Sequence, residues 1–140
     1  MTKSTKSSAR PVPQRPLDTR SLVMKSLPID RDVDAALRSF ANHFQATRGA
    51  TFRLCVESGL AQLELGAELP PPSTDSVSAL RAAYIHFDAE ERLRVLAFRL
   101  RIDHSDLRQR VLRLGLLTLQ AATGLVALPP PEQVRQRQTD

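Results

Sequence analysis

A chain of 140 residues, 41% of them hydrophobic and 25% charged, has the composition of one ordinary globular domain, or of two small units sharing a core. No apolar run approaches the roughly 20 residues that a membrane-spanning helix needs, and residues 1–20 lack the apolar segment of a secretory signal, so the expectation is a cytoplasmic protein with no membrane partner. The net charge of +5 favours an anionic partner instead.

Lys3, Lys6, Arg10, Arg15 and Arg20 against Asp18 give residues 1–20 a net +4. With few apolar side chains to bury, this segment is expected to be a disordered basic arm. Residues 22–29, Leu-Val-Met-Lys-Ser-Leu-Pro-Ile, are partly β-prone but broken by Pro28, which suits a short strand with an open edge. Asp30, Asp32 and Asp34 then cluster where a helix N-terminus welcomes negative charge. Val33, Leu37, Phe40, Ala41 and Phe44 follow at helical spacing, with Gly49 as the expected stop. Thr51 is expected to cap a second helix that runs to Gly66 on Cys55, Val56, Leu60 and Leu63. Cys55, the single cysteine, reads there as a small buried hydrophobe rather than a nucleophile or half of a disulfide.

Residues 67–79 contain Leu69-Pro70-Pro71-Pro72 and read as a linker. At ~3.3–3.6 Å per residue it is long enough to let a second strand return beside the first. Ala82-Ala83-Tyr84-Ile85-His86-Phe87 is the expected second strand, and Asp88 with Glu91 the capping box of a third helix built on Leu93, Leu96, Ala97 and Leu100. Ser105 would cap a long final helix. Its Leu107, Val111, Leu112, Leu114, Leu116, Leu117 and Leu119 spread around the helix, as expected where several sides are buried. Residues 125–140 form a Pro-rich polar tail that is expected to be loose.

The two halves align without a gap at an offset of 56 residues. Residues 33–44 lie over 89–100 with Leu-Arg-x-(Phe/Leu)-Ala-x-x-(Phe/Leu) in common, and the same offset lays Gly59-Leu60-x-x-Leu63 over Gly115-Leu116-x-x-Leu119. A strand-helix-helix unit at 21–66 is thus written again at 80–124, and each copy is too short to bury a core comfortably alone, so the copies are expected to fold against each other. The first is neutral by count, whereas the second carries eight arginines against five acids.

This order of elements resembles the ribbon-helix-helix family of the Arc and MetJ kind. The likeness lies in Leu27-Pro28 near the strand end, Phe40-Ala41 in the first helix and Gly49-Ala50-Thr51 before the second, and covers about residues 22–66 and 80–124. It implies a mainly α fold with a short two-stranded antiparallel ribbon, the two units forming a pseudo-dimer within one chain, as in the tandem members among plasmid transfer accessory proteins. It further implies that the ribbon enters the major groove of double-stranded DNA. If Leu27, Ile29, Ala83, Ile85 and Phe87 face the core, strand alternation turns Met24, Ser26, Ala82, Tyr84 and His86 toward the bases. Lys25 and Arg81, aligned with each other, would reach phosphates. The family's phosphate clamp at the second helix N-terminus carries over to Thr51 and Arg53 and to Ser105.

The function so implied is sequence-selective DNA binding, as a transcriptional repressor or a plasmid transfer or maintenance accessory protein, with other proteins of a DNA-processing complex as further partners. No cofactor or metal is expected, because His43, His86 and His104 are scattered without ligand spacing or a cysteine partner. The acidic clusters are explained as helix starts and no Gly-rich phosphate loop follows a strand, so an enzyme is not expected either. The alternative is a helical protein-interaction module that kept the fold and lost the groove contacts. The expected outward ribbon face departs from the family's pattern in being poor in Arg, Asn and Gln, the residues that read bases best.

Overall fold

The computed structural model describes residues 21–72 and 78–128; the basic arm, linker residues 73–77 and tail residues 129–140 lie outside the described residues. Along the chain come β1 (Leu22–Asp30), α1 (Arg31–Phe44), α2 (Arg48–Glu64), β2 (Ser78–His86), α3 (Phe87–Leu100) and α4 (His104–Thr123). The protein is mainly helical, with β1 and β2 paired antiparallel in a two-stranded sheet. The register runs from Leu22 opposite His86 to Asp30 opposite Ser78, with Ser26 opposite Ala82 at its middle.

Two strands alone are marginal in water, so the helices must hold the ribbon. They do so through one apolar cluster that takes Leu27 and Ile29 from β1, Ile85 from β2, Leu37 and Phe40 from α1, Val56 and Leu60 from α2, Leu93 from α3, and Leu107, Val111, Leu116 and Leu119 from α4. At the centre α2 crosses α4 closely. A Cβ added to Gly59 would stand 2.2 Å from the Val111 carbonyl oxygen, and one added to Gly115 would stand 1.8 Å from that of Cys55. Only glycine allows backbones to approach so nearly. No described helix is long and apolar enough to cross a membrane.

The helix ends correspond at the 56-residue offset. The helices α1 and α3 are each 14 residues long and close on a left-handed residue, Gln45 and Arg101. The Ala46 and Ile102 N–H groups then donate back to the Ala41 and Ala97 carbonyls, which satisfies carbonyls a helix end would otherwise orphan. Thr47 caps α2 by accepting from the Ala50 N–H, and Asp103 caps α4 by accepting from the Ser105 and Asp106 N–H groups.

These ends correct several expectations. Gly49 and Thr51 are neither stop nor cap but sit in the first turns of α2, because the left-handed turn at Gln45 ends α1 earlier and Thr47 takes the cap. Ser105 is inside α4, its place as cap taken by Asp103 two residues before. Asp88 and Glu91 form no capping box, since α3 begins at Phe87 with His86 at its N-cap position, and Glu91 accepts from Arg94 instead. Phe87, expected to face inward from the strand, is half-exposed on the first turn of that helix. Cys55, Leu107, Val111, Leu112, Leu116 and Leu119 are buried as the spacing indicated, whereas Leu117 is exposed.

Candidate nucleic-acid interface

Side chains of a ribbon alternate between its faces, and partners across an antiparallel pair share a face. Met24 opposite Tyr84, Ser26 opposite Ala82 and Pro28 opposite Leu80 therefore form one outward row. Met24 is 60% exposed, Tyr84 51% and Leu80 70%, while Ser26 and Ala82 are exposed between them. The row is apolar apart from the Ser26 and Tyr84 hydroxyls.

His86 departs from this pattern. Strand parity puts it outward, yet it is only 3% exposed. Alternation holds while the chain stays in the sheet, and His86 is the last residue of β2, already serving as the N-cap of α3. Its counterpart 56 residues earlier, Asp30, is buried at the equivalent N-cap and accepts from the Arg113 guanidinium at 3.2 Å, while Asp32 accepts from the same guanidinium at 2.9 and 3.0 Å.

Lys25 and Arg81 point from the ribbon to two carboxylates on the flanking helices. Arg81 donates to Asp34 on α1 at 2.9 Å. Lys25 lies 3.7 Å from Glu90 on α3. The offset of 56 that relates Lys25 to Arg81 also relates Asp34 to Glu90, so each strand cation meets the carboxylate of the other half. Asp34 additionally accepts from Arg48 at 2.8 Å and Arg38 at 3.3 Å. Glu90 accepts from the buried Arg108 at 2.9 Å and has His104 at 3.4 Å. Each carboxylate is buried, while Arg38, Arg48, Arg81 and Lys25 keep part of their surface in water. Both clusters hold more cations than anions: three guanidiniums surround Asp34, and an ammonium and a guanidinium surround Glu90 even with His104 neutral.

The electrostatics follow from this crowding. Burial pushes the Asp34 carboxyl upward, but the guanidiniums of Arg81 and Arg48 outweigh it and hold the group below its ordinary value. Partial burial pushes the His104 imidazole down, and the Arg108 charge adds to that effect against the pull of Glu90.

The starts of α2 and α4, both expected to clamp a phosphate, differ in what surrounds them. Thr51 is buried, with its hydroxyl donating to the Thr47 carbonyl. Arg53 is half-buried one turn into α2, with its guanidinium near Gly49. At α4 the Ser105 N–H is engaged by the Asp103 carboxylate and Asp106 stands in the same turn, so a phosphate there would face two negative groups. Among the described residues, no group of three or more His, Cys, Asp or Glu side chains is placed to hold a metal ion.

Sequence reasoning missed Leu80 and the two ion clusters. The alignment held the signal for both: the 56-residue offset lays Met24 over Leu80, and it lays Lys25 over Arg81 while laying Asp34 over Glu90. No family model, curated protein or solved structure matches the chain.

Proposed function

We propose that the chain is a tandem ribbon-helix-helix protein whose two copies fold as a single-chain pseudo-dimer and lay the β1–β2 ribbon in the major groove of double-stranded DNA. The observation that carries this reading is an exposed two-stranded ribbon flanked by two ion clusters in which cations outnumber carboxylates. The major groove is wide enough to admit such a ribbon, and surplus guanidinium and ammonium groups beside it suit the phosphate backbone. The correspondence of Gly59 with Gly115, of the helix ends, and of the crossed pairs Arg81–Asp34 and Lys25–Glu90 at one offset supports a near two-fold arrangement about the Ser26–Ala82 rung. In this reading Tyr84, Met24 and Ser26 face bases, and Lys25, Arg81 and Arg53 serve the backbone. A cytoplasmic repressor or plasmid transfer accessory protein is the role such a module suits, with residues 1–20 adding affinity without sequence preference.

A mobility-shift titration of the full chain on duplex fragments across a range of salt tests this. Counterion release predicts a log affinity falling linearly with log salt, by about 0.9 for each phosphate neutralised. One specific observation favours a second reading, a protein-interaction module: the outer side of α3 carries exposed Phe87, Val95 and Phe98. Binding to a protein through that surface would change little with salt, and duplex binding that is absent or insensitive to salt overturns the DNA reading.

A further inference from the structure

The outward ribbon row has an unusual chemistry for a surface that reads bases. Exposed Met24 stands opposite exposed Tyr84 on one side of the middle rung, exposed Leu80 opposite half-buried Pro28 on the other, and the small pair Ser26–Ala82 lies between them. No charged or amide side chain stands in this row, so the bidentate hydrogen bonds by which Arg, Asn and Gln distinguish base pairs are not on offer. The floor of the major groove presents donors and acceptors at every base pair and a single kind of apolar group, the C5-methyl of thymine.

From this we infer that the ribbon selects DNA by contact with thymine methyl groups, so that A·T pairs are favoured beneath Met24 and Leu80 through burial rather than hydrogen bonding. The inference rests on the DNA-binding reading above. Its physics works in both directions. An exposed thioether or leucyl side chain set against a methyl removes apolar surface of both from water. The same side chain set over a guanine or cytosine edge strips water from donors and acceptors it cannot satisfy. Discrimination therefore comes from attraction to one base and exclusion of others. The small Ser26–Ala82 rung lets the ribbon approach the groove floor without a bulky side chain holding it off.

The test uses the full chain and a duplex enriched from a random library by binding to it. The duplex is then resynthesised with deoxyuridine in place of thymidine, which deletes only the methyl groups and leaves phosphates and hydrogen-bonding pattern intact. The expected result is enrichment of A·T pairs and a loss of affinity in the uracil duplex of about fourfold for each contacted methyl, with the salt slope unchanged. The variants Met24→Gln and Leu80→Gln should lose that sensitivity to uracil while keeping the parent's melting temperature, since both side chains are exposed. Equal affinity for the thymine and uracil duplexes, with selectivity retained, overturns the methyl inference alone and leaves DNA binding standing. Absence of any salt-dependent duplex binding overturns the DNA reading and this inference with it, and assigns the apolar row to a protein partner.

Discussion

The backbone of Gly115 lies so near the Cys55 carbonyl that a Cβ built on it would stand 1.8 Å from that oxygen. The obstacle is main chain on the facing helix, which cannot swing aside as a side chain can, so an added methyl must push α2 and α4 apart and loosen every contact between them. Gly115→Ala and Gly59→Ala are each expected to cost about 3 kcal/mol or more, at or above the usual range for overpacking. Gly49, also within α2, would set a Cβ 3.6 Å from the Arg53 guanidinium, an ordinary contact. Gly49→Ala should therefore be neutral or stabilise by up to about 1 kcal/mol through helix propensity. Urea denaturation of the three variants checks the contrast, and a Gly115→Ala protein as stable as the parent would refute the close crossing.

Asp34 should govern part of the acid stability. Its carboxyl is held below the ordinary 3.8 in the folded state, because the guanidiniums outweigh the opposing effect of burial. A depressed folded-state pKa stabilises above the unfolded value and loses that contribution as the pH falls through the folded one. Asp34→Asn is expected to lose about 1 to 3 kcal/mol at neutral pH, less than for a fully buried pair because its arginines reach solvent. The variant should also decline less than the parent as the pH falls below about 4. Parallel acid profiles for the two proteins would exclude Asp34 as the source.

His104 acts in a different pH window. It faces Glu90 together with Arg108, Lys25 and Arg94, and partial burial, with Arg108 next, keeps its imidazole below the ordinary 6.5. The neutral form is thus favoured by folding, so its contribution is intact above 6.5 and is lost as the pH falls toward the folded-state value. His104→Gln should flatten the stability profile over that interval while leaving the decline due to Asp34 in place. Thermal melting of parent and variant from about pH 8 to pH 5 separates the two effects.

Tyr84 and His86, two residues apart, should respond oppositely to alanine. Tyr84 is half-exposed on the outward row, so Tyr84→Ala is expected to leave the melting temperature unchanged and, on the DNA-binding reading, to reduce discrimination between sites by about 1 to 3 kcal/mol. His86 is buried at the start of α3, so His86→Ala should destabilise the fold, by about 1 to 3 kcal/mol. A stable His86→Ala protein with altered DNA preference would return that side chain to the outward face of the ribbon.

What the sequence disclosed was whatever depends on periodicity. Leu37 with Leu93 and Leu60 with Leu116 recur at helical spacing and all are buried, and Leu27, Ile29 and Ile85 alternate as a ribbon's inner face must. Positions set by a single backbone turn were illegible. Gln45 and Arg101 adopt left-handed conformations that residue type does not favour, and that one geometry moved the cap from Thr51 to Thr47. His86 misled for a related reason, since strand parity ends where the helix begins. The ion clusters were not legible because acidic residues such as Asp34 and Glu90 suit the first turn of a helix by themselves, and only the folded ribbon brings Arg81 and Lys25 to them.

The left-handed turns at Gln45 and Arg101 also give the chain an unspent reserve. A side chain held in that conformation costs roughly 1 to 2 kcal/mol that glycine would not incur, and both residues are exposed at helix junctions that form no part of the ribbon. Relieving one turn would offset the damage of a substitution made elsewhere. The outward ribbon row can therefore vary, and on the DNA-binding reading so can any preference it confers, with foldability restored at helix junctions away from the ribbon.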